Sequence, residues 1–358
     1  MENLKRHRSL PTRIPPQILH TLLFCMLGVA VIFSSGMGYI RIPAVDVIHT
    51  VLSSIIPFGS LPLPDSSQPN AIIIMDVRLP RILAAALVGG GLALAGGVFQ
   101  AILLNPLADP YTLGISSGAA FGASTAFILP ILGITVPFMI SVPVFAFLGA
   151  MATLFAVFYL AAGDDRLSSN TLILSGVIVA AILSAAIGFI KYLADEEVNT
   201  IIFWLMGSFI GKSWQDVGIL LCVLLPGVLF IQFYARDLNI MALGQSTADT
   251  LGVNSAHIRR YLLVCASILT AVCVSSAGVI GFIGLIVPHI IRHLSGPDNR
   301  VLLPASFLAG ATLLLLADTI TRAVLPHEIP IGILTALIGG PFFCYIFRKK
   351  QLGAAYER

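Results

Sequence analysis

From residue 81 to residue 104 the chain runs through twenty-four positions in which Arg81, at the very start, is the only charged side chain. A helix needs about 20 residues to cross a hydrocarbon layer ~30 Å thick. A stretch this long and this apolar therefore confines the chain to folds that bury it in protein or in lipid. Cutting at polar, Pro and Gly punctuation gives nine further segments: 17–37, 111–131, 138–161, 170–191, 215–234, 260–278, 280–294, 302–322 and 331–348, with 280–294 the shortest. None alternates apolar and polar residues as an outer-membrane barrel strand does. The expected fold is an all-α polytopic membrane protein of about ten transmembrane helices. Composition agrees: with 57% hydrophobic and 10% charged residues, there is too little polar surface to coat a water-soluble domain of 358 residues.

The expected organisation is an N-terminal segment 1–16, one transmembrane domain 17–348 with a long loop at 235–259, and a tail 349–358. Lys5, Arg6 and Arg8 ahead of the first apolar run imitate a signal peptide, but no small-residue cleavage site follows, so a retained first span is expected. The formal charge is only +3, and the basic residues are scattered at segment ends. Nucleic acid is therefore not expected as a partner, and charge encodes orientation instead. With the N-terminus cytoplasmic, fourteen of the twenty Lys and Arg fall inside. An even number of spans keeps the Arg348, Lys349 and Lys350 cluster on that same face. The five cysteines fall within apolar segments, with no C-x-x-C pair, and read as small buried hydrophobes.

Ala85, Gly89, Ala93, Gly97 and Ala101 recur every fourth residue, so they form a stripe of small side chains on one helix face. Gly176, Ala180, Ser184 and Gly188 do the same in 170–191. Such stripes let helices pack closely; the second, with its Ser and Gly, also suits the wall of a path for a bulky solute, and both readings stand. A short echo between 95–99 and 277–280 lies in spans that run in opposite directions, which points to an inverted internal repeat.

The 235–259 loop reads as two short helices. Asp237 would cap the first, which ends at Gly244; Ser246 with Asp249 would form a capping box for the second, which ends at Gly252; Asn254 or Ser255 would cap the next span. Leu243, Leu251 and Val253 remain to be covered, by a soluble partner or by the chain's own membrane domain.

The run R-L-P-R-I-L-A-A-A-L-V-G-G-G-L-A-L-A-G-G-V-F-Q at 78–100, followed by N-P-L-A-D-P-Y-T-L-G-I-S-S-G-A at 105–119, resembles the signature of the FecCD-type permeases, membrane subunits of importers for ferric siderophores, haem and cobalamin. Leu243, Gly244, Ala248, Leu251, Gly252 and Val253 are similar to that family's ATPase-coupling loop. The G-F-I-G-L-I-V-P-H run at 281–289 and segments 301–318 and 329–334 resemble its C-terminal part. The likeness covers nearly everything after residue 75.

This resemblance implies a homodimer with its path at the dimer axis, two ATP-binding-cassette ATPase subunits below and a periplasmic or lipoprotein substrate-binding protein above. It implies the cytoplasmic membrane of a bacterium, with both termini inside. It places docking to the binding protein at Arg78, Arg81 and Arg322, a cytoplasmic gate at Ser168, Ser169 and Asn170, and path lining at Gly176, Ala180 and Ser184. From the residues alone, each arginine could instead be an interfacial anchor. Arg322 could also pair with Asp318 one turn earlier. Ser169 and Asn170 could simply cap their helix.

No catalytic constellation, cofactor or metal site is expected. The 207–213 run imitates a phosphate-binding loop, but three residues separate its glycines where four are required, and no strand precedes it. His289 and the His327 and Glu328 pair lie on opposite sides of the membrane and cannot share one ion. The competing class is an ion-driven secondary transporter, which would need paired ionisable residues near the bilayer midplane. Only Asp318 and Lys191 come close, and both sit near span ends.

Overall fold

A computed structural model of the protein describes residues 14–38, 40–55, 69–134, 138–163, 167–323 and 327–355. Most of the expected N-terminal segment, Arg166 in the inside set, and 356–358 of the expected tail lie outside the described residues.

The described chain is helical, with no strand. Helix α1 (Pro16–Gly36) is followed by α2 (Ala44–Ile55) and the short α3 (Pro69–Ile72), which runs through a wider π-wound stretch, Ile73–Arg78, into α4 (Leu79–Ile102). The widening has a local cause. Pro80 carries no N–H for the Asp76 carbonyl, and the Leu79 N–H bonds five residues back, to Ile74. A tight turn at Pro110–Leu113 leads into α5 (Ile115–Ile128), followed by α6 (Phe138–Leu160) and α7 (Ser169–Ala194). The short α8 (Val198–Leu205) precedes α9 (Trp214–Phe233) and the paired short helices α10 (Ala235–Met241) and α11 (Gln245–Thr250). The chain closes with α12 (Ser255–Ala277), α13 (Ile283–Ser295), α14 (Asn299–Ala323) and α15 (Ile331–Ala355).

The ten expected spans correspond to α1, α4, α5, α6, α7, α9, α12, α13, α14 and α15. Among the described residues seven helices are long and apolar enough to cross a membrane, while α5, α13 and the apolar part of α15 are shorter. The expected tail is not a separate segment through Ala355, because α15 continues to that residue. Cys25, Cys222 and Cys344 are exposed on the bundle's outside, contrary to the buried reading; only Cys273 is fully enclosed. Their apolar segments face outward, where lipid rather than protein covers a small hydrophobe.

Helix α4 is the axis of the fold. Its most apolar window is 89% buried, against 28% for α1, α7 and α9. The small-residue stripe explains this: a Cβ on Gly89 would sit 2.3 Å from the Gly310 carbonyl oxygen of α14. One on Gly96 would sit 1.9 Å from the carbonyl oxygen of Gly284 in α13. Without side chains the backbones touch, and dispersion replaces the hydrophobic drive that lipid cannot supply.

Helices α5 and α13 begin beside one another against the middle of α4, since Gly284 lies within reach of both the Leu92 carbonyl and the Pro110 ring. From there they run oppositely: α5 ends near Arg81, at the start of α4, and α13 passes Gly97 toward its far end. This opposed pair of short helices is where the inverted arrangement is visible. The Tyr111 hydroxyl locks it by donating to the Ile280 carbonyl and accepting from the Ile280 N–H.

Candidate functional site

At one end of the bundle the three arginines lie together, and two of them reach the last turn of α1. The final four carbonyls of a helix have no partner within it. Here Arg78 donates through Nη1 to the Ser35 carbonyl at 2.6 Å and through Nη2 to the Ile40 carbonyl. Arg322 donates to the Met37 carbonyl at 2.8 Å and to the carbonyl and hydroxyl of Ser34. Two cations from distant helices thus cap a helix C-terminus, where its dipole favours positive charge. Gly38 passes over them; a Cβ there would be 2.8 Å from Arg78 Nη2 and 3.5 Å from Arg322 Nη1.

Arg81 lies beside them and grips Asp318 with Nε and Nη2, at 3.0 and 2.8 Å, while Nη1 reaches Glu328 at 3.1 Å. The expected Asp318 to Arg322 pair is present only as a longer contact of 3.7 Å. Asp318 therefore serves Arg81 first. All three arginines are turned inward: side-chain exposure is 13% for Arg81 and 7% for Arg322, and Arg78 is buried. Glu328, at 41%, is the exposed charge of the cluster. It borders a cavity of about 410 Å³ lined also by Arg81, Asp318, Thr200, Trp204 and Phe209.

At the opposite end α10 and α11 form a compact hairpin. Gly244 and Gly252 supply its two left-handed turns, with φ of 108° and 84°. Leu243 and Leu251 project, 67% and 60% exposed, whereas Ala248 and Val253 are buried with Met241 in a small core of the hairpin's own. Val253 is therefore covered by the chain itself, and among the six coupling residues only the two leucines project as large side chains. The Ser246 capping box does not form, because Asp249 turns to accept from the hydroxyl and N–H of Ser255. Asp237 caps nothing either; the first helix starts without a side-chain cap. Asn254 caps α12 as expected. Asn239 ties the hairpin to α14 by donating to Asp298 at 2.7 Å and accepting from the Asn299 N–H at 2.8 Å.

The turn that holds Ser168, Ser169 and Asn170, the expected gate, lies close by. Arg259, in the first turns of α12, donates to the Leu167 carbonyl at 2.8 Å and holds Leu167 in a left-handed conformation, φ 46°. Ser168, the next residue, accepts from the Thr171 N–H and caps α7. The cap is thus one position before Ser169 and two before Asn170, which become the first helical residues. Hairpin, α12 and gate turn form one connected unit, a link that sequence spacing could not reveal. Along α7 the small stripe divides. Gly176 is buried, and a Cβ there would lie 2.5 Å from the Thr112 carbonyl; Ala180 is half-buried; Ser184 and Gly188 face outward. Gly176 serves close packing, and the open part of the stripe begins near Ser184.

Comparison with known proteins gives concordant matches. The model of the FecCD transport family matches residues 26–349. The cobalamin import system permease protein of Halobacterium salinarum is 43% identical over 292 residues, covering 82% of this chain and 77% of that protein. The hemin transport system permease protein of Yersinia pestis is 35% identical over 342 residues, covering 95% and 98%. A solved structure described as an inward-facing, metal-chelate type ABC transporter superposes with a TM-score of 0.80 at 34% identity, covering 94% of this chain and all of that one.

Proposed function

The chain belongs to the FecCD transport family, and from that premise we propose that it is the permease subunit of an ATP-driven importer carrying a large metal chelate across the bacterial cytoplasmic membrane. It acts as a homodimer, with two ATPase subunits on the inner face and a substrate-binding protein on the outer face. The cargo is a ferric siderophore in the first instance, with cobalamin and haem, carried by similar proteins, as the alternatives. The permease moves the chelate by alternating access and performs no bond chemistry.

One observation carries the reading: two exposed leucines stand on a rigid hairpin that is wired to the capped start of α7. Asp249 bonds Ser255, Asn254 caps α12, and Arg259 holds Leu167 beside the Ser168 cap. A push on Leu243 and Leu251 thus reaches the gate at Ser168, Ser169 and Asn170 through short, directional contacts rather than through mobile loop. Ser184 and the open face of α7 line the path. Small, uncharged walls suit a conduit that must release its cargo.

The binding protein docks on the end that carries the Arg81 cavity. Arg78, Arg81 and Arg322 act one layer beneath that contact, by fixing α1 and the rim on which Glu328 sits. A secondary-transport mechanism finds little support, since buried Asp318 is already neutralised by Arg81. The test is reconstitution into liposomes with the cognate ATPase and binding protein. Chelate accumulation should require all three and ATP; ion-driven uptake by this chain alone would overturn the proposal.

A further inference from the structure

Two histidines near the end of α13 stand apart from everything above. His289 and His293 are separated by four residues, so their side chains rise from one face of the helix a single turn apart. Their Nε2 atoms share a hydrogen bond of 3.3 Å, one ring donating to the other, and the rings meet nearly edge to face, with centroids 4.9 Å apart. The spacing is chemically informative. Two nitrogens bound at about 2.0–2.1 Å to one tetrahedral ion are about 3.3–3.4 Å apart. The nitrogens therefore already stand at the separation of a chelate, an ion taking the place of the proton they share and releasing it to water, and the i, i+4 pair is the arrangement by which a helix presents two imidazoles to zinc.

We propose that His289 and His293 form a bidentate site for a divalent transition-metal ion of the zinc or copper class at the end of α13. His293 is exposed and His289 half-buried, so an ion can arrive from the surrounding water and keep water in its remaining positions. Borderline and imidazole-favouring metals are selected over magnesium or calcium, which prefer oxygen. The pair lies in the last two turns of a helix ending at Ser295, where unpaired carbonyls favour a cation. Arg292, the nearest cation in sequence, is half-buried. No group of three or more His, Cys, Asp and Glu converges among the described residues, so the site has two protein ligands. It lies on the hairpin's side of the bundle, His293 being five residues before the Asp298 that bonds Asn239. An ion there stiffens the last turn of α13 beside the inner loops. The site is independent of the importer assignment.

The experiment uses the full-length protein in detergent or lipid nanodiscs, carrying no polyhistidine tag, and titrates it with Zn²⁺ or Cu²⁺ alone. The expected result is one site per chain, a Cu²⁺ resonance spectrum with two-nitrogen coupling, and a rise in thermal midpoint on adding Zn²⁺. His293→Gln, which changes an exposed residue, should weaken binding at least about tenfold, the lower bound seen for losing even an outer-shell partner. It should also abolish the midpoint rise. His289→Gln should do the same; if it folds poorly, His293→Gln alone decides. Binding of equal strength in wild type and His293→Gln, or no saturable binding in wild type, overturns the proposal.

Discussion

Arg81 and Asp318, 237 positions apart in sequence, meet through hydrogen bonds of 3.0 and 2.8 Å at a site where Asp318 is almost fully enclosed. This pair joins the start of α4, the axis of the fold, to the end of α14, its most extensively packed neighbour. Removing Asp318 leaves the enclosed Arg81 with only the more exposed Glu328 as counter-charge. Asp318→Ala should therefore lower stability by about 3–5 kcal/mol, measured by thermal unfolding in detergent, while replacing both residues with leucine should recover most of the loss. An Arg81→Leu protein that unfolds like wild type yet fails to bind its partner would mean that Arg81 is a docking residue and not a tie.

The arginines that cap α1 predict a local effect. In Arg78→Ala with Arg322→Ala, the carbonyls of Ser34, Ser35 and Met37 lose their donors, each at a cost of about 1–3 kcal/mol if it stays dry. Hydrogen exchange should accelerate at residues 33–38 and remain near wild type in α12. Uniform acceleration throughout would mean a global role.

The hairpin separates projecting from supporting residues. Leu243→Asp or Leu251→Asp should abolish co-purification of an ATPase subunit and leave the thermal midpoint within a few degrees of wild type. Ala248→Asp, which places a carboxylate in the hairpin's buried core, should instead unfold the hairpin and increase its proteolysis.

Asp298 sets the pH range over which the hairpin stays tied to α14. The Arg300 guanidinium, and then the Asn239 amide, hold its carboxyl down to about 2, against a partial opposing effect of burial. A carboxylate depressed in the fold contributes its full stabilisation above its unfolded pKa of about 3.9 and loses it as pH falls through the folded value. Exchange protection at residues 238–243 should therefore be flat from pH 5 to 8 as far as Asp298 is concerned. Asp298→Asn should reduce it at neutral pH by under about 1 kcal/mol, since the group is partly in water.

The apolar runs and their lengths made the ten spans legible, because lipid imposes one requirement on every residue of a span. The close packing of α4 was legible in part for the same reason, since Gly89 in the stripe costs helix stability unless backbones approach, whereas Gly96, which meets Gly284, lies outside the stripe. Two features were not legible. The helices α2, α3 and α8 lie between spans, where no such rule applies. The partners of Arg78 and Arg322 were not legible either, because they are main-chain carbonyls at the end of α1 that carry no residue-type signal. The capping errors share a cause. Ser246 with Asp249 satisfies the local pattern, yet Asp249 finds Ser255 across the turn, and Ser168 wins over Ser169 because Arg259 fixes Leu167 just before it.

The central claim is that the hairpin receives force from a separate motor and passes it to the gate through α12. It is tested most directly by placing a single cysteine at Leu251 and crosslinking with a short reagent in intact cells, with and without the Arg259→Ala substitution. The account predicts an adduct with an ATPase subunit in both proteins and chelate uptake only in the one that keeps Arg259. Adducts confined to this same polypeptide, or full uptake in Arg259→Ala, would contradict it.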